Sequence, residues 1–230
     1  MNALPTLGAL VGGPAVVVVV AGGWYWLTPD YFEVGYQPVQ PGGGYNHQLH
    51  AGELGIDCRY CHTHVEESDH ANIPSVATCM GCHTEGKLRA SVSGGPGGDR
   101  HNRMVSFIRD AYAQDESIEW SKIHLVPDYA HFPHHVHVNA GVSCYSCHGQ
   151  IAGMPVVYQA EGLGMGWCLD CHRNPEERLV PPDKVTDLVW VEHNWFDKPT
   201  SEREHNGVTP EDLVASLRRD PPQNCGACHY

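Results

Sequence analysis

No lysine or arginine occurs before Arg59, and only 14 basic residues stand against 27 acidic ones in 230 positions, a formal charge of −13. That balance argues against a nucleic-acid partner, which needs a basic stripe, and against a polybasic membrane patch. An acidic surface of this kind is chiefly a solubility device, although it also suits a basic soluble partner. Aliphatic side chains are scarce where a core would need them. Much of the apolar fraction lies in the first 27 residues, and the rest of the chain is rich in His, Gly and Pro. Something other than packed side chains must therefore fill the interior.

Charge is also missing from residues 6–27, TLGALVGGPAVVVVVAGGWYWL. As a helix these 22 residues would extend roughly 33 Å, enough for the ~30 Å hydrocarbon core. Trp24, Tyr25 and Trp26 then fall where an interfacial aromatic belt is expected. A cleaved signal peptide is the rival reading, but the run lacks a basic flank and exceeds the usual h-region of about 7–15 residues. Pro14 and the glycines weaken helix propensity and are tolerable in a span. We expect one uncleaved transmembrane helix.

No cysteine is left over. The ten form five pairs, each followed by histidine: Cys58/Cys61 with His62, Cys79/Cys82 with His83, Cys144/Cys147 with His148, Cys168/Cys171 with His172, and Cys225/Cys228 with His229. C-x-x-C-H is the attachment motif of haem c. Two thiols one helical turn apart reach the two vinyl positions of one porphyrin, and the next residue aims its imidazole at the iron. Four-thiolate zinc sites consume pairs in twos, so five pairs leave one over. Disulfides would leave five histidines unexplained. The motifs therefore imply five covalently bound haem c groups, whose porphyrin faces supply the missing core. Their ten propionates would add up to about −10 in charge. Haem c is assembled on the outer face of an energy-conserving membrane, so the haem domain is expected on the periplasmic side of a cytoplasmic (inner) membrane, with the N-terminus cytoplasmic.

Haems used purely for electron transfer need a second axial ligand each. Tyr45-Asn46-His47-Gln48-Leu49-His50 precedes the first motif as Phe132-Pro133-His134-His135-Val136-His137 precedes the third, and a further C-x-x-C-H follows in each half. This internal duplication selects His47, His50, His134 and His137 as distal ligands, since histidines three apart share a helix face. The first of each pair is expected to serve the haem that follows it directly. His124, Met154 and His70 compete for the fifth place, with Met165 an alternative thioether. His64, His131 and His135 are expected to bond a propionate or lie on the surface. No C-x-x-C-K variant occurs and no motif marks an open iron site, so no catalytic residue is assigned.

The expected architecture is a multihaem cytochrome c: mostly coil, with short α-helices packed around five haems and one N-terminal transmembrane helix. It divides into an anchor (1–30), a first two-haem half (31–100), a second two-haem half (101–175) and a C-terminal part with the fifth haem (176–230). Residues 91–99, SVSGGPGGD, read as a flexible linker. Residues 175–224 read as an extended surface wrap, interrupted by a helix that Thr209, Pro210, Glu211 and Asp212 would start and that should end near Arg218 and Arg219.

The stretches HQLHAGELGIDCRYCHTHVEESDHANIPSVATCMGCH, KIHLVPDYAHFPHHVHVNAGVSCYSCHG and GMGWCLDCHRNPE resemble the pentahaem cytochrome c family of alternative complex III, a quinol-oxidising assembly. The likeness runs over residues 47–175, and comparable stretches occur across class III (c3/c7-like) multihaem cytochromes. The resemblance implies a menaquinol donor, integral membrane subunits, an iron–sulfur subunit that feeds electrons in, and a monohaem cytochrome c or soluble acceptor that takes them away. An anchored quinol dehydrogenase feeding a periplasmic reductase, or a catalytic multihaem reductase, are the alternatives.

Overall fold

The computed structural model describes residues 3–27, 34–88 and 98–230. Helix is the only regular structure among them, apart from two isolated bridges, Val142 to Leu179 and His205 to Val208. The first helix, Leu4–Leu27, runs unbroken through Pro14 and carries no charge. Its span Leu4–Tyr25 has a mean hydropathy of 2.0, and none of it is buried against the rest of the chain. Trp24 and Tyr25 stand exposed at its C-terminal end; the side chain of Trp26 lies outside the described residues. This apolar helix is a candidate membrane anchor.

Every other helix is short. Cys58–Cys61, Val76–His83, Gly98–Met104, Ser106–Ala113, His134–Asn139, Tyr145–His148, Met165–Arg173 and Pro210–Ser216 are joined by turns and coil. Glycine and proline punctuate the chain too often for longer runs to propagate. Of the expected linker, residues 91–97 lie outside the described set, and Gly98 and Asp99 begin the helix Gly98–Met104.

The spans on either side of that linker are tied together by backbone bonds. Gln48 N donates to Met154 O at 3.1 Å, and His134 N donates to Asp69 O at 3.0 Å. A π-helical turn, Gln48–Glu53, packs on the turn Ile151–Gly153. The approach is so close that a Cβ on Gly52 would collide with the carbonyl of Ala152.

The expectation of a surface wrap over residues 175–224 is corrected by the burial pattern. The main aliphatic cluster of the described residues lies in this segment: Leu179, Val180, Val185, Val191, Trp195 and Leu213. Trp195 is fully buried, and its indole N–H donates to Leu179 O at 2.9 Å. Segment 34–88, which carries the first two motifs, holds only Val65 as a buried apolar residue. The cluster reaches the third motif directly. Ser143 Oγ donates to Val185 O at 2.8 Å, and Cys144 N reaches the same carbonyl at 3.3 Å.

Pro210–Ser216 begins as its sequence predicts. Thr209 and Asp212 form a capping box, each side chain serving the other's backbone N–H. The helix stops at Ser216, before the two arginines, because Leu217 turns extended (φ −61°, ψ 136°). Thr209→Ala should lower unfolding free energy by about 1 kcal/mol, read as a shifted denaturation midpoint at constant slope.

Candidate haem c sites

Each pair of cysteines sits on a turn of helix that brings both thiols to one side. Cys58–Cys61 is capped by Asp57, whose carboxylate accepts from Arg59 N. The second motif closes Val76–His83, the third starts at Cys144, the N-cap of Tyr145–His148, the fourth lies inside Met165–Arg173 and the fifth starts on a 3-10 turn, Cys225–Ala227, with Cys228 as its C-cap. All ten thiols are free of disulfides. Among the described residues no three His, Cys, Asp or Glu side chains converge as the ligand shell of a bare ion would.

The motif histidines share a second feature. Each Nδ1 is held, which leaves Nε2 free to take a metal. His62 donates to Asn72 O at 2.5 Å, His172 to Pro222 O at 2.6 Å and His229 to Tyr129 O at 2.8 Å. In the other two the partner is another imidazole. His83 Nδ1 lies 3.3 Å from His101 Nε2, and His148 Nδ1 lies 3.3 Å from His124 Nε2. Holding the remote ring nitrogen fixes tautomer and ring orientation, as metal-bound imidazoles require.

The duplicated aromatic-His-His element has the same ring geometry twice. Tyr45 meets His47 edge-on at 4.7 Å and stacks on His50 at 4.5 Å. Phe132 meets His134 edge-on at 5.0 Å and stacks on His137 at 4.2 Å. His50 Nδ1 donates to Asn46 O at 2.8 Å and His137 Nδ1 to Pro133 O at 2.9 Å, four residues back in both cases. Their ring centroids then lie 6.0 Å from His83 and 6.1 Å from His172. Metal–imidazole bonds of about 2 Å on both sides of one iron put ring centroids about 6 Å apart. His134 Nδ1 is held by Asp69 O at 2.8 Å, while His47 Nδ1 is buried without a partner.

Burial favours the neutral form, the one that binds iron, at His47, His124 and His148. It pushes His47 down to about 4, helped by the charges of His62 and His50. His124 is also pushed down to about 4, by burial and then by His134. His148 lies well below the ordinary range for the same first reason, with His124, His134, His62 and His47 adding to it.

The remaining candidates fall in other places. Met154 is buried with its methyl behind Gly149, which follows the third motif. His70 is exposed beside Ser68, its N–H on the Ser68 hydroxyl. Met165 is exposed. His64 pairs with Glu67 on the surface, and half-buried His135 turns its Nδ1 to Asp69 at 3.3 Å. His131 stacks on Tyr230 at 4.3 Å, and its backbone N–H donates to Cys228 O. His101 was not legible as a site residue: it belongs to no pair and meets the second motif only through tertiary packing.

No family model matches the chain. Among curated proteins it is 25% identical, over 179 residues, to the multiheme cytochrome c subunit of menaquinone reductase from Nitratidesulfovibrio vulgaris. The alignment covers 69% of this chain and 78% of that relative. This likeness supports a place in the multihaem cytochrome c family. Five free thiol pairs, each beside an imidazole with Nε2 to spare, fit covalently bound haem c.

Proposed function

We propose that this chain is the membrane-anchored pentahaem electron-transfer component of a quinone-linked oxidoreductase complex of the alternative complex III type. The reading is carried by one observation: all five C-x-x-C-H histidines have Nδ1 engaged and Nε2 available. Haem c, when bound, supplies one-electron redox chemistry; the polypeptide fixes porphyrin order, axial ligands and burial. His50 and His137 serve the second and fourth motifs, and His47 and His134 the first and third. His124 and His101 orient the motif histidines His148 and His83.

The thiols suggest the spatial order. Cys58 and Cys144 lie close enough to act on each other, Cys58 drawn down and Cys144 pushed up. Burial raises Cys61, and Cys79 adds to it. Cys147 is pushed up to about 12 by burial, with Cys171 and Cys168 adding, and Cys168 rises through burial and then Cys228. These neighbours favour attachment sites that run second, first, third, fourth, fifth.

An iron–sulfur subunit, integral membrane subunits and a monohaem cytochrome c are the proposed partners, with the haem domain on the periplasmic side. The relative's name favours a second reading for direction, in which electrons flow towards menaquinone. Purification from membranes with intact partners tests both. The polypeptide mass should exceed the bare chain by five haems, and a menaquinol analogue should reduce them; reduction only from the soluble side, with oxidation by the quinone, selects the second reading. A chain free of tetrapyrrole would refute both. Removing residues 1–27 from a chain exported by a separate cleavable leader should shift the protein from membranes to the soluble fraction, read by haem-stained fractionation.

A further inference from the structure

Residues 34–52, the first described after the apolar helix, contain no Asp, Glu, Lys or Arg, and neither do residues 149–160. Charged residues make up 18% of the chain, so runs of 19 and 12 without one are a gap in its acidic surface. The two runs lie side by side. Gly35 N donates to Gln159 O at 2.7 Å, Gln159 N to Tyr36 O at 2.9 Å and Gln48 N to Met154 O at 3.1 Å. The Gln37 side chain donates to Val156 O at 2.9 Å, and a Cβ on Gly44 would sit 3.6 Å from Val156. Burial explains the missing charge at Met154, Val157 and Gln159. It does not explain Val34, Val39, Leu49 or Tyr158, which are exposed, Val39 at 92%. Charge returns at the rims. Exposed Glu53 follows the first run. Glu161 follows the second and accepts from the Trp167 indole N–H at 3.1 Å. Glu119 and Lys122 flank Ser121, which exchanges two hydrogen bonds with the Gln40 side chain.

The tether indicates what covers this face. Six residues, 28–33, join Leu27 to Val34. An extended chain spans at most about 3.6 Å per residue, which keeps Val34 within about 25 Å of the end of the apolar helix. Trp24 and Tyr25 mark that end as the interfacial one. A body of charge −13 is repelled by anionic headgroups within a screening length of about 8–10 Å. The part that can settle closest is the part without charge. We propose that the uncharged face built from residues 34–52 and 149–160 rests on the lipid surface, with Val39 and Tyr158 seated among the headgroups. This rests on reading Leu4–Leu27 as a membrane span. Exposed apolar side chains on such a face gain by leaving water. The third C-x-x-C-H motif then backs onto the membrane side. Gly149, directly after His148, packs so tightly on the second run that a Cβ there would stand 2.9 Å from the Ala160 Cβ.

The test uses the full chain, purified with its partners and returned to vesicles of phosphatidylethanolamine with a minor share of phosphatidylglycerol. A photoreactive benzophenone amino acid replaces Val39 or Tyr158, and Ile73 or Tyr230 as exposed controls. After illumination, mass spectrometry reads what each position has captured. Lipid adducts at 39 and 158 should exceed those at the controls by about tenfold, as seating in the headgroup layer requires. Val39 is open enough to accept the larger side chain, so a misfolded Tyr158 variant leaves the Val39 comparison standing. Equal adducts at all four positions, in protein that floats with the vesicles, overturn the inference and leave the anchor reading intact. Capture of a polypeptide at 39 and 158, whether a partner subunit or a second copy, also overturns it. A chain that fails to float sinks the anchor reading and this inference with it.

Discussion

Replacing His137 by alanine should leave all five porphyrins attached and turn one of them from low-spin to high-spin. The thioethers of Cys168 and Cys171 and the imidazole of His172 do not depend on His137, so attachment survives. What goes is the ring whose centroid lies 6.1 Å from that of His172 and whose Nδ1 is fixed by Pro133 O. An iron stripped of one strong-field ligand becomes five-coordinate or takes water. The high-spin signal should integrate to about one haem in five and revert on adding imidazole, which fills the vacated position. His50→Ala should do the same for the second motif, through the 6.0 Å pair with His83. His193→Ala should not, because that ring is exposed and pairs with Asp197. A wholly low-spin spectrum in both His50→Ala and His137→Ala would remove the distal assignments drawn from the repeat.

The attachment motifs were legible because covalent chemistry imposes a local spacing. Cys79, Cys82 and His83 announce themselves in five residues, whatever the fold around them. The repeat around Tyr45 and Phe132 was legible for the same reason: aromatic and imidazole rings two and five residues apart contact one another within a single turn. The orienting groups were not. Asn72, Pro222 and Tyr129 act through backbone carbonyls, which every residue owns, so no side-chain pattern marks them. His101 and Arg109 are set beside His83 by packing between helices that are well separated in sequence. His124, one of three candidates for the fifth distal place, has its Nε2 3.3 Å from the Nδ1 of His148, a contact that no sequence spacing marks.

The C-terminal cluster escaped notice for a different reason. Leu179, Val180, Val185, Val191, Trp195 and Leu213 follow neither a helical nor a strand period, since prolines and short turns break the chain between them. The segment therefore reads in sequence as an extended surface wrap. Position in three dimensions, not periodicity, makes it a core. None of its six buried residues belongs to a C-x-x-C-H motif, so it can be perturbed apart from them.

That separation can be measured with Trp195→Ala. The indole is fully buried, packs near Trp190 at 6.0 Å and satisfies the carbonyl of Leu179. Deleting it should cost about 3–5 kcal/mol through lost burial and a cavity, with about 1 kcal/mol more from the orphaned carbonyl. Against a typical stability of about 5–15 kcal/mol, that is a large fraction of what holds the chain folded. The damage should be uneven. Val185 supplies the carbonyl that receives Ser143 and Cys144, so haem attachment at the third motif should fall before attachment at the first two. Peptide mapping of haem occupancy gives the order, and denaturation of the purified protein gives the cost. Trp24→Ala, on the exposed N-terminal helix, should change neither. Equal occupancy at all five motifs in Trp195→Ala would mean that the porphyrins hold the third motif in place without help from the cluster, and that side-chain packing plays no part in where haem is accepted.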